Sequence, residues 1–266
     1  MPFFCPVFMR PITQEEFALL DYQVMRLAFD CQNALGRLCN ETIYHNDLAA
    51  RIEAAGLGSV RKEVPVLVTY RDFIKRYSFD LVLEGGVIYE LKTAKRLNSD
   101  HESQLLNYLF LWGAQHGKLV NFRPANVESR FVNSALTHES RRRFQPNTER
   151  WRKNDHASEF VRDIFLELLT EWGAFLELPL YMEGLIHFLG GEEKVVRMVP
   201  LLRNGVQLGN QRMHLINDHT AFRLIAMTDT EDYERQLQSL FCHSPLSAVQ
   251  WINMDRHNIQ FITLER

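Results

Sequence analysis

A chain of 266 residues can build one large core or two modest ones, and 46% apolar with 24% charged residues is an ordinary globular balance. No apolar run approaches the roughly 20 residues of a membrane span, and the proline-broken apolar start over 1–10 is too short for a secretion signal. A formal net charge of −3 excludes a chain basic all over, so any phosphate-binding surface has to be local.

Thr13-Gln-Glu-Glu16 reads as a capping box opening a helix. Phe17, Leu20, Val24, Leu27, Ala28 and Cys31 then recur at helical spacing as one buried stripe, up to a break at Gly36. A second helix is expected over 38–55, closed by glycines at 56 and 58. Glu41, Tyr44 and His45 share one of its faces, as positions three and four apart do. A solvated face with an amphipathic tyrosine is the plain alternative. A strand over 60–70 follows.

The most informative stretch is 77–92. It reads as a strand over 79–83, a turn at Glu84-Gly85-Gly86 and a strand over 87–92. Ile88, Glu90 and Lys92 project from one side of the second strand, and folding the hairpin back brings Asp80 beside Glu90. Like charges opposite one another destabilise a sheet, so a partly buried acid pair calls for a cation between its members. Mg²⁺, which favours one or two carboxylates plus water and phosphate oxygens, fits that need. The plain alternative is two solvent-facing acids and a surface lysine.

Thr93-Ala-Lys95-Arg96 then adds positive charge beside the proposed site. Ser99-Asp-His-Glu102 reads as a second capping box, opening a helix on which Gln104 and Tyr108 are neighbours. A strand over 118–122 completes an α/β layout, one sheet flanked by helices.

Asp80 followed by Glu90-x-Lys92 resembles the signature of the PD-(D/E)XK nuclease superfamily. With Glu41-x-x-Tyr44, Gln104-x-x-x-Tyr108 and Leu119-Val-Asn-Phe122 in the same order, residues 14–133 resemble the bacterial family of GxxExxY proteins within it. Two departures stand out: Leu38 replaces the family's naming glycine, and Phe79 replaces the superfamily's proline. The resemblance implies a PD-(D/E)XK nuclease-like core, a mixed sheet flanked by helices. It further implies a nuclease hydrolysing phosphodiester bonds with Mg²⁺ or Mn²⁺, DNA favoured over RNA. Asp80 and Glu90 are implied metal ligands, with Glu41 completing the shell. Lys92 is implied to orient or deprotonate the attacking water, and Gln104 to position Lys92 or a phosphate. Tyr44 and Tyr108 are implied to pack under the sugar-phosphate backbone. The alternative is a non-catalytic scaffold on a nuclease fold that binds nucleic acid or protein.

Between 134 and 157 the composition shifts to a basic linker. Arg141, Arg142, Arg143, Arg150, Arg152 and Lys153 are interleaved with Phe144 and Trp151, a composition suited to phosphate as well as to a plain solvated connection. Beyond it, 158–266 reads as a smaller α+β domain. An apolar helical run to about 189 is interrupted near 178–179. Strands follow over 193–202, 220–227, 248–254 and 259–264, with a helix over 231–241. Its histidines show no useful ligand spacing. Cys5, Cys31, Cys39 and Cys242 form neither a metal motif nor a disulfide framework, which points to reduced thiols in a cytoplasm. The expected organisation is thus 1–133, 134–157 and 158–266, without a membrane partner. The last domain is left to a second copy or a protein partner.

Overall fold

Thr13 opens the first helix in the computed structural model, which describes all residues except 1, 9, 11, 84, 85, 153 and 154. Its hydroxyl accepts the Glu16 N–H while the Glu16 carboxylate accepts the Thr13 N–H, the reciprocal box that the sequence spells out. Helix α1 (Gln14–Leu35) ends at Gly36, whose φ of +72° suits a residue without Cβ. Helix α2 (Glu41–Ala54) begins later than the expected position 38. The Tyr44 hydroxyl donates to the Gly36 carbonyl at 2.7 Å and accepts the Cys39 N–H at 3.3 Å, which holds the intervening residues as a turn.

The chain divides into two units, Met1–His138 and Glu139–Arg266. The sheet of the first unit runs β1 (Phe3–Phe4), β2 (Val60–Tyr70), β3 (Phe73–Leu83), β4 (Val87–Lys92), β5 (His116–Asn121), β6 (Glu128–Asn133) in spatial as in chain order. Its pairs are antiparallel except β4 with β5, which are parallel and joined by helix α3 (Ser99–Trp112). Phe17, Val24 and Cys31 of α1, with Leu48 and Ile52 of α2, pack on Leu81, Tyr89, Leu91, Val120 and Phe122.

Several local details differ from the sequence reading. Strand β3 starts at Phe73 instead of 79, in one long hairpin with β2 paired from Val60↔Leu83 to Tyr70↔Phe73. The α3 cap is Asn98 with His101, not Ser99 with Glu102. Strand β6 has mostly exposed side chains and so lacked an apolar signal. Of the expected turn, Glu84 and Gly85 lie outside the described residues. Gly86, at φ +90°, donates its N–H to the Leu83 carbonyl.

The second unit comprises α4 (His138–Arg141, at the division), β7 (Gln145–Arg150), α5 (His156–Trp172), α6 (Leu178–Phe188), α7 (Glu192–Val195), β8 (Val196–Arg203), β9 (Val206–Asn217), β10 (Thr220–Ile225), α8 (Glu231–Cys242), β11 (Ala248–Asp255) and β12 (Asn258–Glu265). Its sheet order is β7-β12-β11-β10-β9-β8, parallel at β7/β12 and at β10/β11. The apolar helical run is indeed divided, and Pro179 stands in the first turn of α6, where its missing N–H costs nothing.

Of the expected linker 134–157, the described residues from 139 on fall within the second unit. Strand β7 satisfies its backbone on the edge of the second sheet, although all its side chains are exposed. Trp151 is buried, donating its indole N–H to the Ser158 carbonyl and standing edge-on to Phe261. Arg150 pairs with Glu234 across the same unit. All four cysteines are free thiols. Among the described residues no helix is long and apolar enough to cross a membrane.

Candidate metal centre

The β3–β4 ladder stops at Leu81↔Tyr89, so the next residue, Asp80, stands level with Glu90 without pairing. The Asp80 carboxylate bridges the gap by accepting the Leu91 N–H at 2.8 Å. Phe79 packs on Tyr108 and Trp112 of α3, whereas Leu81 joins the core under α1 and α2. Residues two apart on a regular strand share a face. The alternation is thus broken at Asp80 without an inserted residue, since the β2–β3 register is the same on both sides.

That break brings Asp80 to helix α2. Its Oδ2 lies 3.5 Å from His45 Nε2, an approach that makes no hydrogen bond. Glu41 and His45 stand one helical turn apart on α2. Ligand atoms from Glu41, His45 and Asp80 lie within 4.8 Å of one another. Both His45 nitrogens are buried without a hydrogen-bond partner, and so is Glu90 Oε2. Glu90 is only 1% exposed, and its other oxygen accepts from Lys92 Nζ at 2.7 Å.

The electrostatics follow from burial first. Desolvation, and then the neighbouring Asp80 charge, push the Glu90 carboxyl well above the usual range. Desolvation also raises Asp80, partly offset by the Leu91 N–H and by Lys92. Burial lowers His45, which keeps the imidazole neutral and its lone pair free for a cation. For Lys92 burial works against the charge, but Glu90 and Asp80 outweigh it and its pKa rises.

The structure sorts the residues singled out from the sequence. It brings Glu41, Asp80, Glu90 and Lys92 together and adds His45, which the ligand set of Glu41, Asp80 and Glu90 lacked. The signal was the helix face shared by Glu41, Tyr44 and His45, and it was Tyr44 that misled. Tyr44 is fully buried, stacked on Phe122 at 4.5 Å, and cannot reach a sugar-phosphate backbone. Gln104 donates to the Tyr108 hydroxyl at 3.0 Å, and Tyr108 rests against Phe79, next to Asp80. Lys95 and Arg96 are exposed on the loop after β4. Asn121 clamps that loop through the N–H and carbonyl of Ala94.

In the second unit Arg141 is no surface residue. It is 1% exposed, donates to the Ala174 carbonyl at 3.0 Å, and burial lowers its pKa to about 10. Gly173, at φ +79°, gives it room, since a Cβ there would stand 3.0 Å from Arg141 Cβ. Arg142 and Arg143 are exposed, the first bonded to the Glu171 carbonyl and the second to Glu139.

The model of the PD-(D/E)XK nuclease superfamily matches residues 18–132, within the first unit. Over those residues the first unit is thus similar to the PD-(D/E)XK nuclease superfamily, and its mixed sheet with helices is an α/β fold consistent with it. Among solved structures, "Crystal structure of SSO0001" is similar over 46% of this chain at 20% identity and a TM-score of 0.31, and this chain spans 60% of that one's length. No curated protein matches the chain.

Proposed function

We propose that the first unit is a metal-dependent nuclease of the GxxExxY kind, hydrolysing phosphodiester bonds in nucleic acid, with DNA favoured over RNA. One observation carries this reading. Glu41, His45 and Asp80 converge beside Glu90, with buried nitrogens and a buried carboxylate oxygen left unpartnered. Repelling acids and a neutral imidazole held in this way are reconciled by a cation.

The donor set fits a divalent ion. Carboxylate oxygens suit Mg²⁺, and the imidazole makes Mn²⁺ at least as good an occupant. Glu41, His45 and Asp80 would hold the ion, and Glu90, whose Oε2 is unpartnered, would stand beside them. When bound, the ion supplies Lewis acidity and a lowered pKa for water. Lys92 stays charged because Glu90 and Asp80 surround it. It therefore acts as a hydrogen-bond donor to the phosphate and the charge developing there, not as the base that removes the proton. Gln104 and Tyr108 brace Phe79 and so hold Asp80 in place. Lys95 and Arg96 draw the nucleic-acid backbone to the centre, and Arg142 and Arg143 give the second unit a share in binding.

The test is cleavage of labelled single- and double-stranded DNA and RNA with Mg²⁺ or Mn²⁺, wild type against Lys92→Ala. The expected outcome is cleavage that falls about 10²–10³-fold in the variant. Binding of nucleic acid without cleavage of any substrate would turn the reading to a non-catalytic scaffold.

A further inference from the structure

We infer that Glu63 is a further member of the cation shell, supplying a carboxylate from β2 directly or through a bound water. This rests on the cation-centre reading above and goes beyond its ligand set.

Glu63 lies between the pairs Lys62↔Leu81 and Val64↔Phe79, which puts it level with Asp80 at a step where the ladder makes no pair. The register is the same on both sides of it, so no inserted residue forces its conformation. Yet its φ is +50°, a left-handed backbone that residues with side chains rarely adopt. Glutamate is not among the types that visit this region readily; those are Asn, Asp and His.

Two unfavourable features thus coincide at one position. Two acids stand level at a gap in the antiparallel ladder, where like charges repel. The same acid sits on a strained backbone, and strain of this sort gathers at functional sites. A cation near Asp80 turns the first feature into an attraction. It also explains the second, because the left-handed residue re-aims the side chain where the alternation of β3 is broken as well.

The charge of Glu63 reaches both Asp80 and His45. The unpartnered His45 nitrogens and Glu90 Oε2 point independently to a ligand at this place. Glu63 itself is exposed, so it closes the centre on a side open to water. Outer partners of this kind typically tune metal affinity by about 10–100-fold.

The experiment is calorimetric titration of the metal-free full chain with Mn²⁺, paired with thermal melts, on wild type, Glu63→Gln and Glu63→Gly. Glycine removes the carboxylate but takes the left-handed backbone without strain. Both variants are expected to bind Mn²⁺ at least about tenfold more weakly, with the glycine variant melting, metal-free, at or above wild type. Should Glu63→Gln fold poorly, Glu63→Gly carries the test alone. Wild-type affinity in the folded variants would overturn this inference and leave the cation centre standing. Weaker binding together with a lower metal-free melting temperature in Glu63→Gly would make the residue structural and overturn it too. A wild type that takes up no Mn²⁺ would overturn the cation centre itself, and Glu63's part with it.

Discussion

Strands β4 and β11 occupy comparable places, each beside a parallel neighbour inside a six-stranded sheet and each carrying polar side chains at near-complete burial. In β11 Asn253 accepts the Met227 N–H and donates to the Met227 carbonyl, both at 2.9 Å. Gln250 donates to the Arg152 carbonyl and leaves one neutral oxygen unpaired. In β4 Glu90 shares one oxygen with Lys92, leaves the other unpartnered, and faces Asp80 and Glu41. The difference separates two uses of buried polarity. Amides closed on backbone groups fix loops to a sheet. Carboxylates left open toward one another are the kind of strained arrangement that gathers at functional sites.

The comparison can be broken first at Asn253. Asn253→Ala strands the Met227 N–H and carbonyl, and is expected to cost on the order of 3 kcal/mol in denaturant unfolding with Mn²⁺ affinity unchanged. A neutral result would show that β11 does not depend on this closure.

A smaller effect of opposite sign is expected at the proposed metal centre. Asp80→Asn should stabilise the metal-free protein by on the order of 1 kcal/mol while abolishing the Mn²⁺-induced rise in melting temperature. The pH dependence has a definite sign. The folded pKa values of Asp80 and Glu90 are raised, so their contribution is fully present below the ordinary carboxylate range, about 4, and is lost as pH rises through the raised values. The gain from Asp80→Asn should therefore be larger at pH 8 than at pH 5 in a chelator. A variant less stable than wild type at pH 8 would count against the repulsion.

The smallest effect concerns the arginines. Arg142→Ala with Arg143→Ala should lower the salt slope of DNA binding by up to about 2 and leave the melting temperature in place. Arg141→Ala should instead destabilise the second unit, since its aliphatic stem and guanidinium are enclosed. If all three behave alike, burial is not what separates them.

Much of this molecule can be read from the sequence because it depends on local physics. The Thr13–Glu16 box, the break at Gly36, the run of β4 and the interruption near Leu178-Pro179 follow from capping, glycine freedom and proline's missing N–H. Asp80, Glu90 and Lys92 were legible as a set because strand alternation and a short turn confine where they can go. Edge strands β6 and β7 were not legible, since an edge strand needs only backbone partners and its side chains carry no apolar period. Only the tertiary structure decided between Tyr44 and His45, neighbours on one helix face. Tyr44 turns into the core against Phe122 and His45 turns to Asp80. It also decided which of Arg141, Arg142 and Arg143 is buried, and it placed Glu63 level with Asp80 on a left-handed backbone. The physical reason is common to these cases: burial and register are set by the partners an element meets, and those partners lie far away along the chain.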